Sequence, residues 1–193
     1  MNFVLANCRS IGEIEGIRKM ASNIINFGTE FDPAALKLYT SCNNFVSNVR
    51  PVDELAPHIL ERAFRDMRRL CPNAEPRSQS SLYNCVGMAF ANRRTQVDAV
   101  HIPKFLEDDR YRQIHESEAC RGDIVVYFRD DVPRHVGVVW EIRPMLHGSM
   151  AVDHWILSQW GEAGEYFHRR FDVPSVYGND CRYWTERRVP TWM

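Results

Sequence analysis

Cys85 and His135 are the residues of this chain whose types and spacing point most directly to chemistry. Cys85 stands at the predicted start of a short helix, within S-L-Y-N-C-V-G-M-A-F, and His135 follows fifty residues later at the predicted start of a strand, within R-H-V-G-V-V. A thiol attacks a carbonyl as the thiolate, and its free pKa near ~8.5 leaves only a few per cent ionised at neutral pH. A helix N-terminus and a nearby imidazole both favour the thiolate. The pair therefore predicts nucleophilic catalysis, with Cys85 as nucleophile and His135 as base.

Two further groups complete such a site. Asn84 is a favoured N-cap residue, and the backbone N–H groups at the helix start, including that of Cys85, could bind an oxyanion. A third polar group should orient the imidazole, and the end of a later strand offers Gln159, which we prefer, or Ser158. Only one of the two can serve, because neighbouring strand residues point to opposite faces. Trp160 beside them is a candidate for stacking on substrate.

Hydrophobic periodicity predicts the elements that must position these residues. The core elements are a helix at Cys85–Arg93, a helix around Pro103–His115, and strands at Ile124–Phe128, His135–Ile142 and Ala151–Ser158. A helix that carries the cysteine, followed by a mostly antiparallel sheet, indicates the α+β class. Asp123 is interpreted as a turn residue before the first of these strands. Glu162, Glu165 and His168 are interpreted as a solvated loop.

The residues before the core are predicted to form a helical N-terminal extension, 1–72. A capping box at Ser10–Glu13 begins the first helix, Asp32-Pro33 begins a second with Leu36, Tyr39, Asn43 and Val46 along one side, and a third begins near Asp53. Residues 71–81, with two prolines and a polar tract, are predicted to be a linker loop. The catalytic domain then covers 82–193.

Composition excludes several classes of function. The 24 basic and 25 acidic residues leave a net charge of −1, which argues against broad electrostatic binding of nucleic acid. The six cysteines show no CxxC and no regular spacing, so neither a metal site nor a disulfide framework is expected, and a reducing compartment is the default. No apolar run approaches the ~18 residues of a membrane span. The start lacks the basic and apolar regions of a signal peptide, so we expect the protein to be cytoplasmic as made.

The motifs together resemble a known superfamily. N-C-x-G-x-A at a helix start, G-D-[IV]-V-x-[YF] in the first strand and H-V-G-V-V in the second resemble the NlpC-type and CHAP-type cysteine peptidases, the compact bacterial branch of the papain-like fold. Residue by residue, Cys85 matches the family nucleophile, His135 the family histidine, and Leu157–Gln159 the strand end that carries the polar third member. The resemblance covers roughly 82–161. The chain departs from the family pattern at Asn84, where Asp or Gln is more usual, and at Gln159, where His, Asn, Asp or Glu is commoner. The run that follows Ser158 is also similar to uncharacterised bacterial domains with Tyr-Asn-Cys.

The resemblance implies a cysteine hydrolase that needs no cofactor and cleaves a peptide or isopeptide amide, with bacterial cell-wall peptides first. Without a signal peptide, such an enzyme would be an effector or toxin exported by a dedicated secretion system, with an immunity or inhibitor protein as a partner. Two alternatives stay open. The same pair could deamidate or acylate a cytosolic protein, or the domain could be a catalytically silent papain-like binding module.

Overall fold

The computed structural model describes residues 35–144 and 152–188, and this part of the chain has an α+β fold. The helices are α1 (Pro57–Leu70), α2 (Cys85–Phe90) and α3 (Ile102–Asp108). The strands are β1 (Asn48–Val49), β2 (Glu75–Ser78), β3 (Gln96–Val97), β4 (Arg112–Ile114), β5 (Ile124–Arg129), β6 (Val132–Pro144), β7 (Val152–Gln159), β8 (Glu165–Arg169) and β9 (Asp180–Thr185). Four single-turn 3₁₀ helices lie at Ala99–His101, Glu116–Glu118, Gly161–Ala163 and Ser175–Tyr177.

Seven strands form one antiparallel sheet in the order β2-β8-β7-β6-β5-β9-β4. Consecutive strands β5, β6, β7 and β8 are neighbours, which is typical of hairpin-connected antiparallel sheets. The register pairs Tyr127 with His135 between β5 and β6, and Val138 with Leu157 between β6 and β7. Strands β1 and β3 form a separate two-stranded ladder.

The two faces of the sheet bury different sets of residues, because successive side chains of a strand point to opposite sides. On one face, called here the α2 face, Val86 of α2 packs with Ile124, Val126 and Val136. On the other face, called here the α1 face, Val125, Tyr127, Val139 and Ile156 form a second cluster. Helix α1 covers the same side over β7 and β8, where Ala63 and Met67 pack with Trp160 and Tyr166.

Four of the five predicted core elements, the cysteine-bearing helix and the three central strands, are confirmed with small shifts of their ends. The three central strands lie at Ile124–Arg129, Val132–Pro144 and Val152–Gln159, and the cysteine-bearing helix begins at Cys85. The helix expected from Asp53 begins at Pro57, its first helical residue, where a missing N–H costs nothing. The α+β class is therefore confirmed for the described residues.

Among the remaining predicted segments, three predictions need correction and one stays open. The helix expected from Asp32 is wrong where it is described: Leu38 and Val46 face each other across a tight turn at Asn43, with φ at 62°, and both are buried in the core. A short polar side chain tolerates this left-handed backbone, which a helix cannot contain. Residues 75–78 of the expected linker form edge strand β2. The helix predicted to reach His115 ends at Asp108 and is followed by β4. The helix expected from Ser10 lies outside the described residues.

Candidate active site

The side chain of Asn84 positions Cys85 at the first residue of α2. Its amide oxygen accepts hydrogen bonds from the N–H groups of Gly87, at 2.9 Å, and Val97, at 3.1 Å. Its amide nitrogen donates to the carbonyl of Val97 at 2.7 Å. A Cβ on Gly87 would lie 1.7 Å from the carbonyl oxygen of Thr95, so only glycine lets this neighbouring chain approach. Asn84 is thus both the N-cap of α2 and its tie to β3.

Burial keeps the thiol of Cys85 neutral. The residue is 9% exposed, and burial raises the pKa of Cys85 to about 11. The backbone N–H groups of Val136, Val86 and Cys85 itself favour the thiolate and act in the opposite direction. The carboxylate of Asp98 also raises the pKa of Cys85, to a smaller extent. The donors that a thiolate or an oxyanion needs are therefore in place around a sulfur that is protonated at neutral pH.

The imidazole of His135 is completely buried and stacked on Tyr177. The two rings lie 4.0 Å apart with planes 12° from parallel, and the ring of Tyr127 lies 5.6 Å away. Neither ring nitrogen of His135 has a hydrogen-bond partner among the described residues. Burial, and to a lesser extent His168, holds the pKa of His135 well below its ordinary value. The ring is therefore neutral, and both of its nitrogens are unpaired.

Cys85 and His135 meet through the backbone of β6 and not through their side chains. Cys85 belongs to the cluster on the α2 face together with Val136. The ring of His135 lies on the α1 face, beside Tyr127. The link between them is Val136, which follows His135 in the chain and turns its N–H toward the sulfur. In this arrangement the thiol and the imidazole do not share a hydrogen bond.

Tyr177 is the aromatic residue that covers His135 on the α1 face. Its ring covers His135, and its hydroxyl is close enough to the thiols of Cys85 and Cys71 to sense their charge. Burial is the main cause that raises the pKa of Tyr177. Tyr177 was not among the predicted site residues, because it lies in a single 3₁₀ turn after β8, where no periodic pattern marks it.

The strand end at Ser158-Gln159 does not orient His135. Gln159 faces the α2 side, where its amide donates to the carbonyls of Ser80, at 2.6 Å, and Gly161, at 2.8 Å. Ser158 faces the α1 side, but its hydroxyl is hydrogen-bonded to Nε2 of His168 at 2.8 Å. Gln159 therefore does not hold His135 in this arrangement, because the two side chains lie on opposite faces of the sheet. The amide oxygen of Gln159, the atom that could accept from an imidazole, is buried and has no partner among the described residues.

Trp160 is a core residue. It is 1% exposed, stacks on Tyr166 with ring centroids 4.3 Å apart, and donates from Nε1 to the Ser158 hydroxyl at 2.8 Å. The prediction that it stacks on substrate is wrong here, because its ring is enclosed under α1.

The interpretation of Glu165 and His168 as loop residues is also wrong, since both are buried in β8. His168 donates from Nδ1 to the carbonyl of Arg169 at 2.8 Å, which leaves Nε2 to accept from Ser158. The sequence signal that could have predicted this strand is the alternation of side chains that places Tyr166 and His168 on the same face. Asp123, in contrast, is the structural turn residue that was expected, since its carboxylate accepts from the N–H of Cys120 and pairs with Arg187.

Glu165 forms a second polar cluster behind α2. Its carboxylate accepts from the hydroxyl of Tyr83 at 3.0 Å and pairs with Nε of Arg93 at 2.5 Å. The side chain of Glu165 is 7% exposed, while that of Arg93 is 42% exposed. The cluster joins β8 to the segments on both sides of α2.

Within residues 35–144 and 152–188, no group of three or more His, Cys, Asp or Glu side chains is arranged to hold a metal ion. The same residues include no helix with the length and apolar character needed to cross a membrane. A scan against protein-family models and searches of curated proteins and of solved structures found no match.

Proposed function

We propose that the protein is a cysteine hydrolase with a papain-like core, in which Cys85 attacks an amide carbonyl of a peptide or isopeptide. The observation that carries the proposal is the unpaired imidazole of His135, next in the chain to the residue whose N–H faces the Cys85 sulfur. Leaving a buried polar group unpaired costs about 1–3 kcal/mol. Such groups call for an explanation, and a catalytic role is one of the few that fit.

The proposed reaction uses His135 together with the backbone N–H groups around the sulfur. His135 takes the thiol proton, the sulfur forms a bond to the carbonyl carbon, and the N–H groups at the start of α2 bind the oxyanion. His135 then gives the proton to the leaving amine as the C–N bond breaks. Water hydrolyses the thioester and releases the carboxylate and the thiol. Bacterial cell-wall peptides are the first substrate class, which fits an exported effector or toxin.

The described arrangement is the resting form of this site. For proton transfer, the ring of His135 has to leave its stack with Tyr177 and approach the sulfur to within ~3.5–4 Å, the reach of a loose apo hydrogen bond. Tyr177 lies in a surface segment that ends at Gly178, with φ at 107°. Because the ring and the sulfur lie on opposite faces of the sheet, the proposed step also requires the backbone of β6 at His135 to turn toward α2.

A second candidate function is a catalytically silent papain-like module that binds peptides. The observation that favours it is that both groups are neutral and not bonded to each other, with the pKa of Cys85 raised to about 11. A thiol with that pKa is a poor nucleophile at neutral pH.

Alkylation separates the two functions. In the enzyme, iodoacetamide at pH 7 labels Cys85 faster than the exposed Cys42 and Cys120, and His135→Ala lowers that rate about ten-fold or more, because general-base help is worth at least that factor. His58→Ala, on the exposed side of α1, is the matched control and leaves the rate unchanged. Mass spectrometry of tryptic peptides measures each site. Slow labelling of Cys85 that is indifferent to His135 would contradict the hydrolase and support the silent module.

The substrate class has its own test. Incubation with purified peptidoglycan, followed by mass analysis of soluble fragments, is expected to yield cleaved peptides with wild-type protein and none with Cys85→Ala. A reactive Cys85 without peptidoglycan products would instead direct attention to a protein substrate.

A further inference from the structure

A groove of about 310 Å³ is lined by residues that are neighbours in the chain of Val97 and His135. One wall comes from the segment that begins α3 and the other from the hairpin between β5 and β6; together they contribute Asp98, Ala99, Val100, Pro103, Val132, Pro133 and Arg134. Five of these seven residues are apolar. Val100 is 69% exposed and Val132 is 44% exposed, so two of the large exposed aliphatic side chains of the described chain face one groove.

Both walls are attached directly to the proposed catalytic residues. Asp98 follows Val97, which Asn84 holds by two hydrogen bonds next to Cys85. Arg134 precedes His135 in β6. The carboxylate of Asp98 is also near enough to influence the Cys85 thiol. The groove therefore opens at the same end of the sheet as the sulfur.

The groove carries one charge of each sign. Asp98 and Arg134 are both exposed, and neither forms an ion pair with another described residue. One carboxylate oxygen of Asp98 accepts from the N–H of Val100 at 2.9 Å, which fixes the carboxylate at the groove wall. Two unpaired charges on opposite sides of an apolar floor are complementary to a ligand with an aliphatic middle and charged ends.

We infer that this groove binds an extended peptide segment with aliphatic side chains, a basic group toward Asp98 and a carboxylate toward Arg134. This inference rests on the proposed function, because the groove would then hold the part of the substrate next to the bond that Cys85 attacks. Val100 and Val132 contact the aliphatic side chains, and Arg134 binds the carboxylate through its guanidinium fork.

The inference is tested by direct binding, without turnover. The probe is a fluorescein-labelled Lys-Val-Val-Glu peptide, titrated against the Cys85→Ala protein and followed by fluorescence anisotropy. Val100→Asp is expected to weaken binding about ten-fold or more, because it removes aliphatic contact and adds a desolvated charge. Arg134→Gln is expected to weaken binding of this peptide but not of the neutral Gln-Val-Val-Gln peptide.

Val152→Asp is the matched control. Val152 is 42% exposed and pairs with Pro144 at the opposite end of β6 from Arg134, so its substitution should leave binding unchanged. A Lys-Ser-Ser-Glu peptide should bind about ten-fold or more weakly than the valine peptide.

The inference would be overturned if the Val100→Asp protein bound the peptide as tightly as the protein with an unchanged groove. It would also be overturned if no binding were detected up to about 1 mM peptide. The outcome is separable from that of the alkylation experiment. Fast, His135-dependent labelling of Cys85 without peptide binding would support the hydrolase and contradict the proposed role of the groove. Groove binding with an unreactive Cys85 leaves a peptide-binding module.

Discussion

Burial sets the charge state of every residue in the candidate site. The thiol of Cys85, the hydroxyl of Tyr177 and the rings of His135 and His168 are all held in their neutral forms by the same cause, removal from water. For the two histidines, burial makes the free energy of unfolding depend on pH, because their rings take up a proton more readily in the unfolded state than in the folded state.

His168 gives a measurable prediction. Burial lowers the pKa of His168 to about 4 from an ordinary value of 6.5. Between these pH values the unfolded state binds a proton that the folded state does not, so the free energy of unfolding falls as the pH falls. The full loss is about 3 kcal/mol from this residue, and His135 adds to it in the same direction.

Urea unfolding at pH 7, 5.5 and 4.5 checks this expectation. His168→Asn keeps a donor for the carbonyl of Arg169 but does not titrate. Between pH 7 and 4.5 the free energy of unfolding of this variant should therefore fall by less than that of the wild-type protein. His58→Gln, at an exposed position of α1, should retain the full loss. A wild-type free energy that does not change over this range would show that His168 is not buried in the neutral form.

At the scale of elements, the start of α2 depends on one side chain. The helix has only six residues, too few to be stable alone, so capping and packing must hold it in place. Asn84 supplies three hydrogen bonds, two to Val97 and one to Gly87. The same residue thus determines where Cys85 sits and where the groove wall at Asp98 begins.

Asn84→Ala is expected to lower the free energy of unfolding by about 2–3 kcal/mol, since it removes an N-cap and leaves buried backbone groups of Val97 unpaired. Asn84→Asp keeps the acceptor for Gly87 but loses the donor to the Val97 carbonyl, so a smaller loss is expected. Urea unfolding at pH 7 measures both. If alanine and aspartate variants were equally stable, the donor to Val97 would contribute nothing.

At the scale of the whole molecule, side-chain hydrogen bonds and ion pairs join the sheet to segments that are distant in the sequence. Glu165 on β8 binds Tyr83 and Arg93, which flank α2. The carboxylate is buried while Arg93 is partly exposed, so the pair depends on a favourable geometry. Loss of Glu165 would free one side of α2 from the sheet.

Glu165→Ala is expected to lower the free energy of unfolding by about 2–3 kcal/mol, because Tyr83 loses its acceptor and Arg93 its partner. Glu75→Ala, on the exposed face of neighbouring strand β2, is the control and should change stability by less than about 0.5 kcal/mol. Chemical denaturation measures both variants. A loss at Glu165 no larger than at Glu75 would mean that the cluster does not stabilise the fold.

Local patterns were sufficient for the long helix and the central strands. The spacing of apolar residues predicted the helix that ends at Leu70, and the β-branched runs predicted the three central strands within a few residues. The pattern failed between Leu36 and Val46. Of the residues placed along one helix side, Val46 is buried, but Tyr39 and Asn43 are exposed because the chain turns back on itself between Tyr39 and Val46.

The partners of the candidate site could not be read from the sequence. The order of cysteine and histidine placed Cys85 on a helix and His135 on a strand, but alternation alone does not say which face of the sheet the helix will cover. Once α2 packs against Val136, the neighbouring His135 must turn to the opposite face, toward Tyr177 and Tyr127.

The amino-acid sequence by itself determined the long helix before the linker, the three central strands, the α+β class and the candidate nucleophile, because these depend on residue types and on periods of two and 3.6 along the chain. Only the tertiary structure decided that Cys85 and His135 are separated by the sheet, that Gln159 serves the backbone and that Asp98 and Arg134 face one groove. Those relations join residues distant in sequence, and they depend on which apolar faces the helices bury.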